Sequence, residues 1–313
     1  MNVRHPYDGL WRKRLDALDK VWPQFLAGET EALHKARVAS RRIREALPVV
    51  GAQASQAKVK KLRKKMRDLT RYLGPIRELD VELGMIEKRL ADDDAHSALT
   101  VVRREVAARR QALRQKLKDE KPVSDLKRLR KKLEKVSAPK HDRKSEDAWR
   151  AALAATMLKR AKRLKAALDD AGPLYAPERL HEVRVTVKKL RYAMEIADDA
   201  GQAGMKAPLK VLKREQERLG HLHDLQQLQK HVQGAEASPR VGSRLADLAT
   251  YADSLERECR ALHAQFVDGR DDLFKCVQDV RHTLVPALTT KRFRQARVTT
   301  PQRRPRGRAT KRA

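Results

Sequence analysis

Leu33-His34-Lys35-Ala36-Arg37-Val38-Ala39-Ser40-Arg41-Arg42-Ile43-Arg44 lines up without a gap against Leu180-His181-Glu182-Val183-Arg184-Val185-Thr186-Val187-Lys188-Lys189-Leu190-Arg191. Both stretches read L-H-x-x-R-V-x-x-[RK]-[RK]-[IL]-R. Further along, Leu73-Gly74-Pro75-Ile76-Arg77-Glu78-Leu79 matches Leu219-Gly220-His221-Leu222-His223-Asp224-Leu225, and Asp125-Leu126 falls opposite Asp272-Leu273. A spacing of 147 residues, within one residue, serves all three matches. A period this long signals a duplicated domain with a pseudo-twofold relation, not a solenoid of short repeats.

At about 100° per residue, His34, Arg37, Arg41 and Arg44 fall within an arc of roughly 80°. Leu33, Ala36, Ile43 and Leu47 occupy the opposite side. In the second copy His181, Arg184, Lys188 and Arg191 are set in the same way against Leu180, Val183, Leu190 and Met194. Arg42 and Lys189 sit on one flank. The following helix repeats the device: Lys60, Lys64 and Arg67 correspond to Lys206, Lys210 and Lys213, beside an apolar stripe of Val59, Leu62, Met66 and Leu69. Arg71 extends the first of these rows, but its counterpart is Glu217.

A run of Lys and Arg more often only solubilises a helix. Solubilising faces usually mix signs, however, because like charges at i, i+4 weaken a helix. Here the cations keep one helical phase in both copies while the letters between them differ, which points to an anion site. Arginine offers a planar fork for two phosphate oxygens and lysine a compact, mobile charge. The two leading histidines read either as donors to a phosphate oxygen, strengthening binding as pH falls toward 6, or as helix-start residues making a local bond. No metal site is expected. Neither histidine has a ligand at i+3 or i+4, and His221 and His223 lie on different helical faces.

Working outward, nearly every segment repeats apolar residues at three and four, and alternation over two is scarce. The chain reads as all-α, with helices expected over 8–27, 30–50, 55–91, 95–120, 124–136, 146–170, 176–198, 206–233, 240–267 and 271–288. This divides it into a first helical repeat at 1–137, a linker at 138–145, a second repeat at 146–289 and a disordered basic tail at 290–313, which carries about ten Lys and Arg and no acid. Pro75 should break or kink the first long helix near Gly74.

The 313 residues exceed what one hydrophobic core usually supports, so two cores are expected. The chain holds 72 Lys and Arg against 41 Asp and Glu, a formal charge of +31. That surplus repels itself and calls for a polyanionic partner. Cys259 and Cys276 are too few for a disulfide framework and read as reduced thiols of a cytoplasmic protein. No leader pattern and no long apolar run points to secretion or a membrane span.

The duplicated helix followed by L-G-x-x-[RH]-[ED]-L resembles the CHAD family, the conserved histidine α-helical domain, over nearly all of 8–288. The resemblance implies two four-helix bundles with short extra helices, related by a pseudo-twofold and enclosing a basic central pore or groove. It also implies binding of inorganic polyphosphate and association with polyphosphate granules in bacteria. The family's basic positions fall on His34, Arg37, Arg41, Arg42, Arg44, His181, Arg184, Lys188, Lys189 and Arg191. Lys60, Lys64, Arg67, Lys206, Lys210 and Lys213 join them on the repeat and helical phase alone. Some members are fused to a triphosphate tunnel enzyme, but Glu256-Arg257-Glu258-Cys259-Arg260 only brushes that enzyme's acidic motif and lies on an expected helix.

The expected function is therefore non-enzymatic polyphosphate binding without a cofactor. The alternative is nonspecific DNA or RNA binding through the basic surface and residues 290–313. Scarce aromatics, 4% of the chain, favour a polymer without bases to stack. Catalysis on phosphate chains would require paired carboxylates for a metal or a Gly-rich phosphate loop. Asp92-Asp93-Asp94 reads as a helix terminator, and no Walker pattern is present.

Overall fold

The computed structural model describes residues 6–92, 99–119, 126–137, 143–201, 204–236 and 245–289. Eleven α-helices and no strand occur among them. The first copy holds α1 (Pro6–Leu26), α2 (Thr30–Val50), α3 (Gln56–Tyr72), α4 (Gly74–Asp92), α5 (Leu99–Asp119) and α6 (Leu126–Ser137). The second holds α7 (Arg143–Ala171), α8 (Pro177–Asp199), α9 (Lys206–Glu236), α10 (Leu245–Asp268) and α11 (Arg270–Thr289). The expected tail at 290–313, and residues 138–142 of the expected linker, lie outside the described residues.

The element order is duplicated. α1, α2, α3 and α6 pack together as α7, α8, the start of α9 and α11 do, while α4 pairs with α5 as the rest of α9 pairs with α10. The extra helices are full length, not short: α5 has 21 residues and α10 has 24. One difference between the copies follows from one residue. Pro75 has no N–H to give the Arg71 carbonyl and its ring would collide with it, so the expected helix over 55–91 is two helices, broken at Leu73. His221 stands at the aligned position and α9 runs unbroken for 31 residues.

Local chemistry sets the ends. The Ser55 hydroxyl accepts from the Lys58 amide at 3.4 Å and caps α3, and Pro177 occupies the first turn of α8. Gly51 closes α2 where a β-carbon would stand 2.8 Å from both Val59 and Val136. Only glycine lets α2, α3 and α6 meet so closely.

The expected apolar backs are buried: Leu33, Ala36, Ile43 and Leu47 are at most 4% exposed, and Leu180, Val183, Leu190 and Met194 at most 2%. The expectation of two separate cores is not met. Buried apolar residues from Leu10 to Val280 form one contiguous cluster, because α2 packs on α7 and α8, and α4 and α5 pack on α9, across the two copies. Polar pairs cross the same junction. The Arg89 guanidinium donates two hydrogen bonds to the Glu258 carboxylate, at 2.9 and 2.8 Å, and Glu82 meets the His231 ring at 2.8 Å. Arg14 reaches Asp199 at 3.4 Å. Among the described residues no helix is long and apolar enough to cross a membrane.

Candidate anion-binding pocket

Because α2 and α8 bury their apolar backs in the shared core, their basic faces turn toward one another at the junction of the copies. A cavity of about 420 Å³ opens there, and Arg37, Arg41, Arg44, Arg71, Lys188 and Lys189 line it. The Arg41 guanidinium donates to the Tyr192 hydroxyl at 3.4 Å, spanning the two rows. Gly74 and Pro75 form part of the wall, so the α3–α4 break opens onto the cavity.

Lys188 occupies the centre of this field. Burial pushes its amine down to about 6, and Arg41, Arg184, Arg37 and Arg44 add to the effect. Burial, then Arg41, lowers Arg37 to about 10, against the opposing pull of Glu78. Burial likewise lowers Arg184, and Asp224 opposes it. Among the described residues no carboxylate pairs with Lys188. Such a cluster stores repulsion that a polyanion would relieve.

The duplicated L-G-x-x-[RH]-[ED]-L segment supplies the matching acids. Glu78 stands 3.7 Å from Arg37, and its counterpart Asp224 is the main carboxylate acting on Arg184. The residue before each acid meets the leading histidine. Arg77 acts on His34, and the His223 ring lies 5.0 Å from that of His181. Burial lowers both leading histidines, with Arg77 adding to it at His34 and Arg184 at His181, and burial with Arg184 lowers His223 to about 4. Among the described residues neither His34 nor His181 makes the local helix-start bond considered for it, and the buried His34 Nδ1 has no partner there.

The remaining expected residues divide by their surroundings. Arg44 is paired with Glu45 at 2.9 Å. Arg191 is held by Glu195, donates to Gln216 at 2.8 Å and lies 4.7 Å over the Tyr192 ring. Arg42 is exposed, 3.9 Å from Glu195. Lys60, Lys64 and Arg67 stand on the exposed face of α3, in line with Arg71. Lys206, Lys210 and Lys213 line a different cavity with Asp198 and Glu217. That cavity adjoins another of about 800 Å³, where His34 and Arg42 share the walls with Glu31, Glu195, Asp198 and Asp199. Its charge is mixed, whereas the 420 Å³ cavity is dominated by cations.

Sequence reasoning passed over Tyr192, Glu45 with Arg160, and the roles of Glu78 and Asp224. The acids carried a readable signal, since the repeat keeps a carboxylate at that position in both copies. Tyr192 and Arg160 carried none, because each matters through a contact between the copies. Among the described residues no group of three or more His, Cys, Asp or Glu is placed to hold a metal.

The family model described as the CHAD domain matches residues 9–233. The fold is similar to the crystal structure of the CHAD domain from the plant Ricinus communis, at 22% identity and a TM-score of 0.53 over 90% of each chain. It is also similar to the structure of PptA from Streptomyces chartreusis, at 15% identity and a TM-score of 0.57, covering 91% of this chain and 98% of that one. No curated protein matches the sequence.

Proposed function

The chain belongs to the CHAD family, and from that membership and the pocket's chemistry we propose that it binds inorganic polyphosphate without turning it over. The observation that carries the reading is Lys188, an amine with no carboxylate partner among the described residues and set among Arg37, Arg41, Arg44 and Arg184. Guanidinium forks from two helices can grip successive phosphates, while Lys188 supplies a compact charge between them. Tyr192, the aromatic side chain of the pocket, is buried and bonded to Arg41, so the walls offer no stacking platform for bases.

Binding without turnover agrees with the carboxylates at hand. Glu45 is occupied by Arg44 and Arg160, and Glu78, the other acid lining the pocket, lies 3.7 Å from Arg37, so both are turned to arginines. Association with polyphosphate granules would follow from affinity for the polymer.

Replacing Arg37, Arg41, Arg184 and Lys188 together with Ala should abolish most polyphosphate binding with helical content unchanged, while deleting residues 290–313 should spare it. Titration of both variants with polyphosphate, in competition with duplex DNA at matched phosphate and physiological salt, decides the matter. Normal binding by the fourfold variant, or loss on tail deletion alone, would overturn the site. A preference of the tail-less form for DNA would favour nucleic acid as the ligand. Release of phosphate from the polymer in the presence of divalent cations would refute the absence of turnover.

A further inference from the structure

The two lysine rows that the repeat makes equivalent stand in different electrostatic surroundings. Arg71 lines the cationic pocket, and Arg67, Lys64 and Lys60 follow it at helical spacing along α3, within an arc of about 60° and over about 16 Å of helix. Among the described residues no carboxylate pairs with Lys60, Lys64 or Arg71. Asp68, 3.8 Å from Arg67, is the single acid on the helix, and Lys61, Arg63 and Lys65 flank the row.

On α9 the row of Lys206, Lys210 and Lys213 ends at Glu217 instead of an arginine. It shares its cavity walls with Asp198 and Glu217, and Lys213 faces Glu195 and Asp199 as well. Alignment of the copies locates the cause. Glu195, Asp198, Asp199 and Glu217 replace Pro48, Gly51, Ala52 and Arg71 of the first copy. Four substitutions toward acid have set carboxylates beside one row and left the other open to the pocket.

We propose that a polyphosphate chain held in the pocket leaves it in one direction only, past Arg71 and along Arg67, Lys64 and Lys60 of α3, so that this row selects long chains over short ones. The α9 lysines belong to a mixed-charge cleft and do not hold the polymer. This rests on the polyphosphate reading of the pocket. A short chain satisfies the pocket cations alone, and each further phosphate gains from α3 only once the chain is long enough to reach it.

The test compares the full chain with two charge-reversed variants, Lys60→Glu/Lys64→Glu/Arg67→Glu and Lys206→Glu/Lys210→Glu/Lys213→Glu, titrated with tripolyphosphate and with long-chain polyphosphate. The α3 variant should lose about tenfold or more in affinity for the long chain, with its log–log salt slope reduced by about 2, and change less than about twofold on tripolyphosphate. The α9 variant should change less than about threefold on either. Equal losses in the two variants would overturn the one-directional path, as would a long-chain affinity unaffected by the α3 changes or a parallel loss on tripolyphosphate. Alanine versions of both variants and circular dichroism separate charge from folding. Failure of the pocket itself would look different: the Arg37, Arg41, Arg184 and Lys188 variant would then bind tripolyphosphate as the unaltered chain does.

Discussion

Arg41 on α2 donates to the hydroxyl of Tyr192 on α8 at 3.4 Å, a bond between residues 151 apart in sequence. It places the two basic rows on one cavity, with Lys188 one turn before Tyr192. The electrostatics of the whole pocket turn on that meeting, and so does its response to pH.

Lys188 should make polyphosphate binding consume a proton. In the free protein its amine is held down to about 6 by burial and by Arg41, Arg184, Arg37 and Arg44. A bound polyanion screens those cations and raises the amine's affinity for its proton. Between the free and the bound values, binding therefore takes up a proton and affinity falls as pH rises, while below about 6 the lysine contributes no further change. Calorimetric titration at about pH 7 to 8 in buffers of different ionisation enthalpy should show this uptake, and Lys188→Met should remove it. An uptake unchanged in that variant would place the titrating group elsewhere. The histidines are the lesser contributors near pH 6, because burial lowers both His34 and His181.

Glu78 and Asp224 should act as brakes on anion binding. Glu78 lies 3.7 Å from Arg37, and Asp224 opposes the burial of Arg184. Glu78→Gln and Asp224→Asn each remove one negative charge from the path of an incoming phosphate. Each should tighten polyphosphate binding by about two- to fivefold at low salt, equivalent to roughly 0.5–1 kcal/mol for a partly exposed pair. The gain should shrink as ionic strength rises. Weaker binding in both variants would mean that these carboxylates position the arginines instead of competing for them.

The sequence made the repeat, the helices and the polarity of α2 and α8 legible, because burying Leu33, Ile43, Leu180 and Leu190 fixes where the cations point. The α3–α4 break was legible for the same local reason, the missing N–H of Pro75. What could not be read is what depends on packing between the copies. Nothing in the periodicity of α9 distinguishes Lys210 from Lys64, yet one borders Asp198 and the other lies on an exposed basic face. Arg44 and Arg191 look like free members of their stripes and are engaged by Glu45 and Glu195. The length argument for two cores failed because it counts residues and not the apolar area that α2, α4, α8 and α9 present to one another.

Gly51 should tolerate no side chain. A β-carbon there would stand 2.8 Å from Val59 and from Val136, so Gly51→Ala must push α3 or α6 away from α2. Overpacking of this kind costs about 1–3 kcal/mol, measurable by urea unfolding. Combining it with Val136→Ala should return part of the loss, and no recovery in the double variant would place the constraint on Val59 or the Leu47 carbonyl instead of Val136.

The Glu45–Arg160 pair should behave as a clamp between the copies. Arg160 on α7 reaches the Glu45 carboxylate on α2 at 2.6 Å, both side chains are at most 10% exposed, and Arg160 also donates to the Lys189 carbonyl at 2.6 Å. Burial alone would push the Glu45 carboxyl up, but Arg160 and then Arg44 hold it below its ordinary value. A carboxyl lowered on folding stabilises the protein above its unfolded value, near 4.3, and that contribution is lost as pH falls through the folded value. Arg160→Met leaves the buried Glu45 carboxylate with Arg44 as its remaining cation and the Lys189 carbonyl without its donor, and should cost about 1–3 kcal/mol at neutral pH, whereas Glu45→Leu with Arg160→Met should recover part of it. Glu45→Gln should in addition flatten the fall of stability in acid. Urea unfolding of the unaltered chain, Arg160→Met, Glu45→Leu, their double variant and Glu45→Gln at neutral and acid pH measures both effects. Single-variant costs that simply add, with no coupling, would show that the pair does not join the copies and that the shared apolar core alone holds the pocket together.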